Sequence, residues 1–274
     1  MMRFKLLKIL LNTFCICMIT TTIIAGEAMQ YNTIEDVPAA KWQELSAKRI
    51  YFGHQSVGFN IIDGMQELMK KYPQIQLNII ETRHFNGSAG AFIHSRVGKN
   101  RKPETKINDF VNVVDQELGV VPDMAALKFC YVDAYDKVDV HDLFIKYKEA
   151  MDKLKQEHPN LTIIHFTMPL RTQSISWKTK AKLLLGKEPW EFTDNIKRNQ
   201  FNELLRQQYQ GKEPVFDLAG YEALGQDGEK MSFQYKEQTY LSMLPEYSTD
   251  GGHLNKKGEQ WVAENFLLFL VSMR

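Results

Sequence analysis

From about residue 48 onward the chain alternates between short β-rich runs and longer segments with helical spacing, and this rhythm constrains the fold more than any other property. Arg49-Ile50-Tyr51-Phe52 is a short run stopped at Gly53. Behind it Ile61, Met65, Leu68 and Tyr72 recur at the intervals that line one face of a helix, until Pro73 ends the series. Ile75–Ile80 alternates as a strand and leads into the Gly-rich loop Asn86-Gly87-Ser88-Ala89-Gly90. Ile107, Phe110, Val111 and Val114 predict a helix over Thr105–Leu118, and Ala125–Val132 reads as a buried strand. Leu143, Tyr147, Ala150, Met151 and Leu154 mark the next helix, and Leu161–Met168 is the clearest strand. A helix near Asp194–Gln210, a strand at Val215–Leu218 and a last helix from about Lys257 complete the pattern. Strand and helix alternating about five times imply a parallel sheet covered by helices on both faces. Such sheets bind ligands at the carboxyl ends of their strands, so the residues just after each run are the candidates for chemistry.

Composition narrows the function. Thirty-four Lys+Arg against thirty-three Asp+Glu leave no basic surplus for neutralising phosphates, which disfavours nucleic acid as a partner. No His-x-x-x-His or Cys-x-x-Cys spacing points to a metal, and no glycine-rich phosphate loop follows the first strand, so no cofactor is expected. Residues 1–28 have the layout of a signal peptide: a basic start, an apolar run from Ile9 to Ala25, and the small residues Gly26 and Ala28. An uncleaved N-terminal membrane anchor is the alternative. Removal would export residues 29–274 as a single domain to the periplasm or the medium, with no further membrane attachment. Cys15 and Cys17 would leave with the leader, and Cys130 lies in an apolar run where a core role is expected. Two long connections, about 171–192 and 221–249, are rich in aromatics and read equally well as binding walls or as surface elaborations packed on themselves.

Two strand-end features carry the chemistry. Gly53-His54-Gln55-Ser56-Val57-Gly58 follows the first strand and enters a helix, where the serine hydroxyl is exposed among unpaired backbone N–H groups that could hold an oxyanion. The plainer alternative makes Ser56 an N-cap. Near the C-terminus, Asp250 and His253 sit three residues apart in the glycine-softened loop Ser248-Thr249-Asp250-Gly251-Gly252-His253. There a carboxylate can reach Nδ1–H and leave Nε2 outward as a general base.

In these two blocks the chain resembles the SGNH/GDSL hydrolases, across roughly residues 48–272. The resemblance implies a three-layer α/β/α sandwich with a flavodoxin-like five-stranded parallel sheet. It also implies that Ser56 is the nucleophile, Asp250 the orienting acid and His253 the base. Gly87 or Gly90 would lend an N–H to the oxyanion hole alongside that of Ser56. Two departures stand out. His54-Gln55 replaces the single acidic residue between glycine and serine, and Val132 stands where the family carries an asparagine donor. Asn86 and Gln55 are candidate replacements, with Asp133 positioning the donor. His54, Gln55, Asp133 and Arg96 are candidate substrate contacts, Arg96 for an anionic group. The activity implied is hydrolysis of short acyl esters, O-acetyl groups among them, on small molecules, carbohydrate or cell-surface material. The alternatives are an O-acyltransferase using the same residues, or a non-catalytic module binding a glycan or protein. Oligomeric state is left open.

Overall fold

The computed structural model describes residues 30–173 and 190–273. The predicted leader, and most of the 171–192 connection, lie outside the described residues. Helix α1 (Ala39–Ser46) leads into strand β1 (Arg49–His54), which hands over to α2 (Val57–Lys71). Strands β2 (Ile79–Glu81) and β3 (Ala91–Arg96) follow, then α3 (Pro103–Asn112), β4 (Met124–Leu127) and α4 (Val140–Glu157). Next come β5 (Thr162–Phe166), α5 (Trp190–Tyr209), β6 (Val215–Phe216) and α6 (Leu218–Ala223). A hairpin of β7 (Ser232–Tyr235) and β8 (Gln238–Leu241) precedes the last helix, α7 (Lys256–Ser272).

The sheet runs β2-β3-β1-β4-β5-β6 and every pairing in it is parallel. Along its strands successive side chains point to opposite faces. Ile50 and Phe52, Phe92, Met124 and Ala126, and Ile164 and Phe166 join one core with α1, α2 and α7. Tyr51, Ala91 and Ile93, Ala125 and Leu127, and Ile163 face the other way, into a core with α3, α4 and α5. Burial on both faces explains why these strands read as apolar runs with little alternation.

The expected three-layer α/β/α architecture is present, with six strands rather than five. Five of the strands, β3-β1-β4-β5-β6, keep the flavodoxin-like order, and β2 is an added edge strand beside β3. This changes which element is second in the core. Ile75–Ile80 contributes only a three-residue edge strand beginning at Ile79, whereas Ala91–Arg96 pairs along the whole of β1. The 221–249 connection is built around the β7–β8 hairpin, which docks on α5: Asn199 donates to the Leu241 carbonyl and accepts from its N–H.

Candidate active site

Parallel pairing lays β3, β1, β4 and β5 side by side with their carboxyl ends together, so the loops after them share one rim of the sheet. Ser56 stands on that rim between β1 and α2, with φ 46° and ψ −106°. A positive φ is uncommon for a residue with a Cβ and marks a position where local strain is held in place by its surroundings. The Ser56 side chain makes no capping bond to the helix. Its hydroxyl is hydrogen-bonded instead to His253 Nε2, across 197 positions of sequence. On the far side of the ring, His253 Nδ1 lies 2.6 Å from Asp250 Oδ2. A carboxylate can only accept, so Nδ1 carries the proton and Nε2 is left to accept from the serine.

The Asp250 loop is preorganised. Oδ1 accepts the N–H groups of Gly252 and His253, each at 2.8 Å. Burial alone would raise this carboxyl, yet the hydrogen bonds from the His253 ring and from the two backbone N–H groups outweigh it and hold it well below the usual carboxylate range. Tyr131 packs edge-on to the imidazole, with ring centroids 5.5 Å apart. A Cβ on residue 252 would stand 2.7 Å from the Tyr131 ring, so only glycine lets the loop lie this close. Arg171 ties the same loop down from the next strand end, donating Nε to the Gly251 carbonyl and Nη2 to that of Asp250.

Beneath the serine lies a second buried layer. Gln55 spends its side-chain N–H groups on the Val97 and Gly98 carbonyls at 2.9 and 2.6 Å, so it fixes the loop and does not face a substrate as expected. The Gln55 carbonyl accepts from Lys128 Nζ at 2.8 Å, and burial pushes the ammonium of this fully enclosed lysine down from its ordinary value. His54 is likewise no substrate contact. It is fully buried, stacked on Phe52 and bonded through Nε2 to His94 Nδ1 at 3.1 Å. Burial drives its pKa well below the ordinary histidine value, so it is neutral. Asp133 is also buried, and it gathers the Arg101 N–H, the Cys130 N–H and the Lys106 ammonium. That ties the loop after β3 to the loop after β4. Arg96 stacks on the Phe59 ring at 4.3 Å.

Three expected oxyanion residues are at the wrong end of the sheet. Gly90 lies against the backbone of Ser46 and Ala47, and its neighbour Ala91 donates to the Lys48 carbonyl ahead of β1. Phe85 donates to the Leu118 carbonyl ahead of β4, while Asn86 packs near Gly119 and Gly87 on Phe85. All are on the amino-terminal rim, a strand's length of about 20 Å from Ser56. The loop that does reach the site is 97–102, because β3 and not 75–80 neighbours β1. Its own glycine, Gly98, already gives its N–H to Asp109 at 2.7 Å. The N–H groups of Ser56 and Val57 meet no acceptor among the described residues: they precede the first turn of α2, whose bonds begin with Gly58 and Phe59 to the Gln55 and Ser56 carbonyls. In the same loop Asn100 accepts Lys106 Nζ on Oδ1 at 2.8 Å, which turns its amide N–H₂ away from the lysine.

A cleft of about 660 Å³ opens beside the triad, lined by Arg101, Tyr131, Tyr135, Arg171, Asp194 and Arg198 among others. A larger groove of about 1150 Å³ between α4, α5 and β8 includes none of the residues that touch His253 or Asp250. Sequence reasoning did not reach Arg101, Arg171, Arg198 or Lys128. Their positions just after strands, or on a helix facing the strand ends, were the available signal.

No family profile matches the chain, and no curated protein does. Among solved structures it is similar to a protein from Streptococcus pneumonia described as a platelet activating factor, at 14% identity and TM-score 0.49, covering 85% of this chain and 90% of that one. It is similar to an acetyl xylan esterase at 16% identity and TM-score 0.46, over 80% of this chain and 98% of that one. A protein described as a GDSL-like lipase from Parabacteroides merdae shares 12% identity at TM-score 0.49, over 83% and 97% of the two chains.

Proposed function

We propose that this chain is an exported serine ester hydrolase that removes short acyl groups, O-acetyl foremost, from carbohydrate or cell-surface esters. The observation that carries the reading is the Ser56–His253–Asp250 relay, in which the hydroxyl is turned from helix capping to the imidazole. Ser56 Oγ attacks the ester carbonyl carbon as its proton passes to His253 Nε2, and the carbonyl electrons move onto oxygen. The N–H groups of Ser56 and Val57 hold that oxyanion. Asn100, oriented by Lys106, is in this reading the side-chain donor that Val132 cannot be. Collapse breaks the bond to the alcohol, which leaves with the proton from Nε2. Water then gives a proton to Nε2 and attacks the acyl-serine; the acyl–Oγ bond breaks, Ser56 Oγ takes the proton back from Nε2, and the acid leaves. Asp250 stays ionised throughout and steadies the imidazolium.

The test is nitrophenyl acetate hydrolysis together with fluorophosphonate labelling. The expected results are turnover, modification mapped to Ser56, and loss of both in Ser56→Ala with native circular dichroism. Unlabelled Ser56 with no turnover would favour the binding module, while acyl transfer to an added sugar in preference to water would favour the transferase. For export, the mature protein should have an intact mass corresponding to a start near Met29; a retained Met1 would contradict leader removal.

A further inference from the structure

We propose that the cleft beside the triad is a subsite for an anionic group, so that the substrate is an ester of a negatively charged sugar or a similar acid-bearing alcohol. This deepens the esterase reading and rests on it for its catalytic arm. Three guanidinium groups line the cleft, from Arg101, Arg171 and Arg198, against the two carboxylates of Asp136 and Asp194. Asp194 faces Arg198 at 3.6 Å, and Arg198 is itself buried, donating to the Tyr131 carbonyl and to Asn195. That pair forms the floor. Arg101 forms the rim: its guanidinium lies over the Tyr135 ring at 4.7 Å and meets no carboxylate among the described residues.

Arg101 is also held there at a cost. Its φ is 62°, a conformation that disfavours a side chain, and it is fixed by the bond from its N–H to buried Asp133. The Lys106 ammonium and the Cys130 N–H share that carboxylate, so the loop bearing Arg101 and the loop bearing Tyr131 are locked in one register. Tyr131 separates the cleft from the His253 ring, and Arg171 grips the Asp250–Gly251 backbone. An anion seated among the arginines therefore lies directly against the loop that carries the base. Planar guanidinium forks suit carboxylate and phosphate oxygens alike.

The experiment compares mono-O-acetylated methyl galactoside, methyl galacturonoside and methyl galactoside 6-phosphate as substrates of the whole protein. In parallel, the deacetylated glycosides are titrated into Ser56→Ala by calorimetry. At least one charged ester should exceed the neutral one by about tenfold in kcat/KM, expressed in KM, with the advantage shrinking as salt rises. The preferred anion identifies the group. Arg101→Gln should collapse the ratio, and Arg101→Lys should restore part of it. Equal turnover of charged and neutral esters, with equal binding, overturns the subsite and leaves the esterase standing. Charge-selective binding to Ser56→Ala without turnover by the native protein does the reverse.

Discussion

At Ser56 two demands on one residue conflict. Its backbone occupies a region that glycine tolerates and serine does not, while its side chain must be a hydroxyl. Ser56→Gly and Ser56→Ala should both lack esterase activity and yet differ in stability. The glycine variant should be more stable by about 1 kcal/mol in urea denaturation, because it relieves the strain that alanine keeps. Equal midpoints would mean that the geometry at residue 56 carries no strain. On the other side of the relay, Asp250→Asn keeps the shape but can offer its amide N–H₂ to Nδ1, favouring the wrong tautomer. Its kcat should fall by about two to four orders of magnitude with little change in KM. The serine, histidine and aspartate were legible because each follows an element in a loop with few other titratable groups. The proposed side-chain donor was not, since Asn100 acquires its orientation from Lys106, which Asp133 holds in turn, residues that no local pattern links to it.

Among the elements, the β7–β8 hairpin was not foreseen and the strand read over Ala125–Val132 stops at Leu127, but the misassigned second strand is the difference that moved the site. Ala91–Arg96 carries His94 and Ser95 in its middle, which reads as loop. In the fold both are buried and partnered, His94 by His54 and Ser95 by the Tyr51 hydroxyl. A polar residue whose partner lies forty or more positions away is invisible to periodicity, and the alternating Ile75–Ile80 took its place. Assigning the wrong second strand carried the oxyanion glycines to the opposite rim. The contact between α2 and α7 was equally hidden. A Cβ on Gly64 would stand 2.3 Å from the Glu259 carbonyl and 2.7 Å from Ala263 Cβ, so the helices touch backbone to backbone there. Gly64→Ala should destabilise by about 1–3 kcal/mol in chemical denaturation. It should also lower kcat, because α7 begins three residues after His253.

For the molecule as a whole, pH acts through a buried acid. Glu222 is enclosed on α6, and desolvation lifts its carboxyl from 4.5 to about 8, against the opposing pull of the Leu170 N–H that it accepts. Between those two values the folded chain keeps a proton that the unfolded chain has lost, so this group's stabilising contribution, full at acid pH, fades as pH rises through about 8. Glu222→Gln should therefore match the native protein near pH 5 and exceed it by about 1–3 kcal/mol near pH 9. A gap that does not widen with pH would exclude Glu222 as the titrating group.

The nucleophile and its base come from opposite ends of the domain, and the helices that follow them, α2 and α7, pack against each other. A chain still under synthesis thus carries its serine long before the imidazole exists to activate it. Under the proposed esterase reading, hydrolytic competence arrives only when α7 has packed against α2, so ester cleavage would double as a report that the two ends of the domain have come together.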